Sequence, residues 1–289
     1  MLGQVVSGLA LGCVYALVAL GFSLIYAAFS LPHFAQGDIL MLGGVVGFTL
    51  AVRTNLGLIP ILMITAAVVG TIGVIIERLV YRKIMNHDLS SKIVCTVNVG
   101  VFLQNAVSVF WSNRTFAFPT DRFGGVPIAA FGQTFPPVYL NIFAATALLV
   151  LILTFVLQRT RLGLGMRATA YSHDLASLMG VNIHQCLVAT FAIGAGLAGT
   201  GGVLVGQIIM VVFTMGAVIG LKGYVAAVLG GFGSIPGALV GGLLLGVFEN
   251  LACFFISSAY KDAVALILMI LILILRPQGL LGRRREVKV

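Results

Sequence analysis

The sequence predicts an all-α fold, a polytopic bundle of transmembrane helices with about eight or nine crossings, some of them short or re-entrant. Three observations carry this. Hydrophobic residues make up 60% of the 289 and charged residues only 9%, whereas an ordinary soluble domain carries roughly 25% charged residues. So few charges cannot clothe a water-facing surface, so the outer surface must face lipid. Apolar runs near the ~20 residues a spanning helix needs recur along the whole chain. The basic residues fall in short gaps between those runs, the bias that marks cytoplasmic loops. A single transmembrane domain, 1–289, accounts for the chain.

Taken in order, Val5–Phe29 is the first span, too long for a signal-peptide core and without a basic flank before it. Ile39–Val52 is apolar but short, as suits a buried or broken helix. Leu56–Ile76, Ile93–Trp111 and Val138–Leu157 are full spans, as are Leu187–Val212 and Gly237–Ile256. Ala263–Leu275 is again short. Gly216–Gly231 is ambiguous because Lys222 interrupts it. Between Ile93–Trp111 and Val138–Leu157 lies Asn113–Pro137, with Pro119, Pro127, Pro136, Pro137 and Gly124-Gly125; it reads as the one sizeable external loop.

Charge parity tests this topology. The basic clusters are Arg78, Arg82, Lys83 and Lys92; Arg159, Arg161 and Arg167; and the tail from Arg276 to Lys288. Placing all three in the cytoplasm requires an even number of crossings between neighbouring clusters. Gly216–Gly231 must then cross, giving nine spans with an external N-terminus; eight plus a re-entrant pair satisfies the charges nearly as well. A net charge of +9 would also suit nucleic acid, but its placement beside the spans argues for a membrane surface and against a nucleic-acid partner.

Glycine is abundant, at 36 residues, and recurs in small-xxx-small spacing: Gly8/Gly12, Gly43/Gly47, Gly202/Gly206, Gly216/Gly220, Gly237/Gly241 and Gly242/Gly246. Such pairs let helices approach closely and gain van der Waals contact in lipid. They imply a compact bundle with many seams.

Catalytic signatures are absent: there is no G-x-x-x-x-G-K-[ST] loop and no H-E-x-x-H. Gly21-Phe-Ser23 matches an intramembrane serine-protease triplet only at the level of chance. Cys13, Cys95, Cys186 and Cys253 are far apart, and the four histidines lack ligand spacing, so no disulfide, metal site or cofactor is predicted.

Between the fifth and sixth runs, Ser172 or Asp174 can start a helix that Gly180 ends after about two turns. Leu175, Leu178 and Met179 would form its apolar stripe, with Arg167 upstream. Two readings fit equally: the helix docks in another protein's groove, or it lies on the membrane surface. Inside the runs, Lys222 and Glu249 are the costly charges and can pair across helices. Asn98, Gln104 and Asn105 lie on one helix, with Asn98 and Asn105 on one face and Gln104 turned about 100° from Asn105. They either line a passage for a zwitterion or hydrogen-bond neighbouring helices. Ser234 and Pro236 mark a helix start.

Several of these segments carry a resemblance. Asp174-Leu-Ala-Ser-Leu-Met-Gly180 resembles the E-A-A-x-x-x-G loop of ATP-binding-cassette importer permeases in its branched-chain amino acid form. Arg167-Ala-Thr-Ala, Leu178-Met-Gly-Val-Asn182 and Gly220-Leu-Lys-Gly-Tyr-Val-Ala-Ala-Val-Leu-Gly-Gly-Phe-Gly-Ser-Ile-Pro-Gly237 are similar to that family too. So are Ile76-Glu-Arg-Leu-Val-Tyr-Arg82, Phe102-Leu-Gln-Asn105 and Arg276-Pro-Gln-Gly-Leu-Leu-Gly282. The likeness covers nearly the whole chain in order and is nearest to the shorter, H-type permease.

The resemblance implies a permease subunit in the bacterial cytoplasmic (inner) membrane, with its basic C-terminus inside. Its partners would be a second permease, two cytoplasmic ATP-binding subunits and an external solute-binding protein. It further implies branched-chain amino acids as solute, moved by alternating access. The loop at 159–183 would couple to the ATPases through Asp174, Ala176, Leu178, Met179 and Gly180. Two departures stand out. Asp174 and Leu175 replace the family's Glu and first Ala, and His33-Phe-Ala-Gln-Gly-Asp38 stands where the family shows N-F-A-H-G-[DE]. If that segment lines the path, His33 and Gln36 alter its chemistry, and urea, short amides or other amino acids stay open as solutes. A rival class is an autonomous secondary transporter with its proton on Asp38 or Glu249; a membrane scaffold is a third.

Overall fold

The computed structural model describes residues 1–85, 87–111, 113–120, 123, 128–130 and 133–282. The last seven residues, which hold most of the basic tail expected at 276–289, lie outside the described residues, as do Gly124, Gly125 and Pro127 of the external loop.

Every apolar run becomes a helix, with bounds shifted by a few residues. Helix α1 spans Leu2–Phe29, α2 Gln36–Arg53, α3 Leu58–Ile76 and α5 Leu89–Trp111. Helices α6, Val138–Arg159, and α9, Ile183–Gly206, follow, then α10, Met215–Gly230, α11, Ile235–Phe255, and α12, Lys261–Leu275. Seven of the helical stretches are long and apolar enough to cross a membrane, and α10 is a shorter apolar helix. Helix α2, of 18 residues, is a further, more polar helix of the bundle.

The structure departs from the sequence in three places. Helix α3 does not stop at Ile76: a π-helical turn, Glu77–Tyr81, carries it into a last turn, α4, Arg82–Ile84. Five-residue spacing is what a π turn aligns, and it sets Arg82 over Glu77, whose side chain is fully buried, at 3.3 Å. The run expected at Leu187–Val212 ends as helix at Gly206, because the chain breaks there to pair Val211 with Phe116. An amphipathic helix, α7, Arg161–Tyr171, precedes the coupling segment, started by Thr160, whose hydroxyl accepts from Gly163 N–H. The loop expected outside, 113–137, holds a short antiparallel hairpin, Ile128–Ala130 with Gln133–Phe135.

Helices α1 and α9 form the enclosed centre, while α12 and the outer faces of α3, α5 and α6 are bare apolar surface. The glycine pairs explain the close packing. Gly8 and Gly12 of α1 face Gly246 and Gly242 of α11; a Cβ on Gly8 would stand 2.8 Å from Gly246 O, and one on Gly12 2.9 Å from Gly242 O. Gly43 of α2 lies on the backbone of Gly199 in α9, and Gly37 on Gly216 and Gly220 of α10. Bare backbone meets bare backbone, where dispersion rather than water release holds helices together.

Contacts at the helix termini define two ends of the bundle. At one, Tyr139 OH donates to Ser7 Oγ (3.2 Å), Asn250 Nδ2 to Gln4 O (3.0 Å), and Phe116 and Val211 bridge by two backbone bonds. At the other, His173 Nε2 lies 2.8 Å from Ala28 O, while Leu280 and Leu281 N–H donate to Leu229 and Gly230 O at the end of α10. Phe29 packs on Tyr81 at this second end. Among the described basic residues, Arg78, Arg82, Arg159, Arg161, Arg167 and Arg276 belong to segments at this end, whereas Arg53 and Arg114 belong to segments at the other.

Candidate translocation and coupling sites

At the basic end, the expected coupling helix forms as α8, His173–Leu178. Ser172 caps it, accepting from Leu175 N–H at 3.3 Å. Its far end closes with Gly180 N–H donating to Ser177 O and Val181 N–H to Ala176 O, the paired bonds of a Schellman motif. Gly180 takes the left-handed conformation this closure needs, with φ 77°. Ala176 is buried beneath the helix, yet Leu178 and Met179 are 81% and 84% exposed. Tyr171 and Leu175 extend the same bare apolar surface. Two small turns, capped at both ends and tied to α1 through His173, therefore present apolar side chains outward.

The centre of the bundle carries the second constellation. Helix α2 begins not at a bundle end but halfway along: Gln36 Nε2 donates to Gly194 O (2.8 Å), the middle residue of α9. Helix α1 is closed by Ser30 in a left-handed conformation with Pro32 just beyond, and the chain climbs back through 31–35 before helix resumes. His33 sits in that turn edge-on to Tyr81 and Phe191, at 5.0 and 5.5 Å, with neither ring nitrogen bonded among the described residues. His33 and Gln36 thus lie packed inside the turn rather than on an open wall.

Asp38, in the first turn of α2, is 7% exposed and stands level with Gly100, midway along α5. Gln104 Nε2 donates to its Oδ1 at 2.7 Å. A carboxylate at this depth costs about 2.5–3.5 kcal/mol on insertion scales. The positive end of α2 offsets about 0.3–1 kcal/mol of that, so the Gln104 bond carries most of the compensation. Asn98 and Asn105 lie on the outward face of the same α5, each amide donating back to its own helix, to Val94 O and Val101 O. Gln104, half-buried, turns inward to Asp38. Sequence reasoning gave Asp38 only a rival role, because its setting depends on α5 and α10 closing around α2.

A third group sits between α10, α11 and α12. Lys222 Nζ pairs with Glu249 Oε1 and, at 2.9 Å, with Asp262 Oδ1; Lys261 Nζ reaches Glu249 Oε1 at 3.4 Å. Lys222 also lies 6.0 Å from the centre of the Tyr15 ring. The two membrane charges singled out from the sequence do meet, and two more from the start of α12 join them. Apart from these sites, a cavity of about 940 Å³ opens at the basic end among α1, α7, α10 and α12. Among the described residues no cluster of metal-binding side chains occurs.

The sequence that builds this helical bundle has relatives among known proteins. Residues 4–273 match the family model for the permease component of the branched-chain amino acid transport system. The chain belongs to this permease family. Its relatives include the high-affinity branched-chain amino acid transport system permease protein LivH of Salmonella typhimurium, 37% identical over all of this chain and 97% of that protein. The corresponding protein BraD of Pseudomonas aeruginosa is 36% identical over the whole chain and 98% of its own length. A probable branched-chain amino acid permease of Methanocaldococcus jannaschii is 27% identical over 92% of the chain and 88% of that relative. The permease is thus an all-α polytopic membrane protein of a solute transport system.

Proposed function

We propose that the permease is one of two membrane subunits of an ATP-driven importer for branched-chain amino acids in a bacterial cytoplasmic membrane. Its partners are a second permease, two cytoplasmic ATP-binding subunits and an external solute-binding protein. The chain forms one transmembrane domain, with the loop at 159–183 and the basic tail 276–289 in the cytoplasm. It catalyses no reaction; it opens a passage, and nucleotide hydrolysis by the partners supplies the work.

The observation that carries this reading is the exposed pair Leu178 and Met179 on a doubly closed helix at the basic end. Apolar side chains on a short rigid helix are what a groove in another protein takes. In a permease lacking a P-loop, a nucleotide-hydrolysing subunit is the fitting owner of that groove. Asp174, Ala176 and Gly180 shape the helix; Leu178 and Met179 make the contact. Relatives' names support the solute class, and the outward Asn98 and Asn105, with the half-buried Gln104 on the same helix, support a path along α5, where a second permease would meet it. His33 and Gln36 serve that path by holding the mid-bundle start of α2.

Copurification tests the reading directly. Leu178→Glu with Met179→Glu is expected to leave the folded permease unchanged within about 0.5 kcal/mol, as surface changes do, and to abolish its association with the ATP-binding subunits. Retained association refutes the coupling assignment. Leucine uptake by the permease alone in vesicles, driven by a pH gradient, would instead establish a secondary transporter.

A further inference from the structure

Among the described residues three carboxylates are buried, and two have cations: Glu77 has Arg82, and Glu249 has Lys222 and Lys261. Asp38 is the exception, with no cation in ion-pair reach among the described residues and a single side-chain donor, Gln104. Its carboxylate is clasped between two helices. A Cβ on Gly216 of α10 would stand 2.7 Å from Oδ1, and Gly100 of α5 abuts Oδ2 so closely that no Cβ fits there. An ionised group at the middle of a membrane helix normally faces protein partners or a path for a charged solute, and here the one side-chain partner among the described residues is a neutral amide rather than a cation.

The surroundings suit one kind of visitor. Gln104, which donates to Asp38, shares helix α5 with the outward Asn98 and Asn105, polar residues on a face that lipid alone would not favour. Two turns along α10 from Gly216, Tyr224 packs against Phe34 at 5.6 Å, and Phe34 remains more than a third exposed. A carboxylate without a cation, four residues along the chain from the part-exposed ring of Phe34, matches a small molecule with one cationic centre and one aliphatic side chain. We infer that Asp38 receives the ammonium group of the amino acid in transit, with Gln104 holding the carboxylate in position. This rests on the reading of the chain as an amino acid permease, and it adds the residue that recognises the zwitterion inside the membrane.

The test uses the complete importer in proteoliposomes, with labelled leucine, isoleucine and valine offered on the binding protein. Asp38→Asn keeps the shape and the oxygen that accepts from Gln104 and removes only the charge. Uptake at saturating binding protein is expected to fall at least tenfold, with the half-saturating concentration of binding protein unchanged. Asp38→Glu should recover part of the rate, and Gln104→Leu should cost less than Asp38→Asn. Wild-type uptake by Asp38→Asn overturns the inference while leaving the transport reading intact. So does loss of the ATP-binding subunits from that variant, which would mark a structural role. Failure of the wild-type importer to carry any of the three amino acids overturns the transport reading and this inference together.

Discussion

Removing Lys222 while Glu249 stays should be the costliest single change in the charged group between α10, α11 and α12. The side chains of Lys222 and Glu249 are 7% and 1% exposed, so neither can turn to water. Breaking a buried pair by deleting one member costs about 3–5 kcal/mol. Lys222→Met leaves Glu249 one ion pair, the longer contact to Lys261 at 3.4 Å, from a lysine one-third exposed. That residual partner places the expected loss near the bottom of the range, about 3 kcal/mol. Glu249→Gln should cost less, because Lys222 keeps Asp262 at 2.9 Å. Replacing both by apolar residues removes the orphaned charge, and the double variant Lys222→Met with Glu249→Leu should lie within about 1 kcal/mol of wild type. Reversible unfolding in mixed micelles, followed by helicity as the denaturing detergent rises, measures all three. A Lys222→Met variant as stable as wild type, or a double variant as unstable as the summed singles, would refute the argument.

Two further outcomes follow from packing. Gly12→Ala inserts a methyl 2.9 Å from both Gly242 O and Leu243 Cα, backbone atoms that cannot step aside; a loss of about 1–3 kcal/mol in the same unfolding measurement is expected. His33→Phe replaces a ring with two unbonded buried nitrogens by an apolar one of similar outline. Stability should hold or rise by up to about 1 kcal/mol with uptake retained, and a clear loss would show that the imidazole has a partner.

The sequence made the helices plain because lipid imposes one rule: long apolar runs must be helical. Lys222 and Glu249 were legible for the same reason, since two opposite charges in apolar runs can hardly be left apart. Asp262 was not, because it stands at the edge of the last run and reads as a boundary. Helix α7 escaped notice since Arg161, Gly163, Gly165 and Arg167 break any apolar period, although Thr160 before them was a usable cap signal. The setting of Asp38 was beyond reach: it needs Gly100 and Gly216, far apart in the chain, on either side of one carboxylate. Spacing along one helix tells which residues share a face, not which neighbour that face meets.

The seam between α1 and α11 has a mechanical consequence. With glycine on both sides, the two backbones touch, and any side chain brought to Gly8 or Gly12 by sliding would meet a carbonyl within 3 Å. Such a joint has one deep resting position and scarcely yields to shear. Because His173 ties α8 to Ala28 at the end of α1, a force applied to α8 would reach α11 as displacement, not as local give. The pair works as a stiff spar, and whatever swings must swing around it.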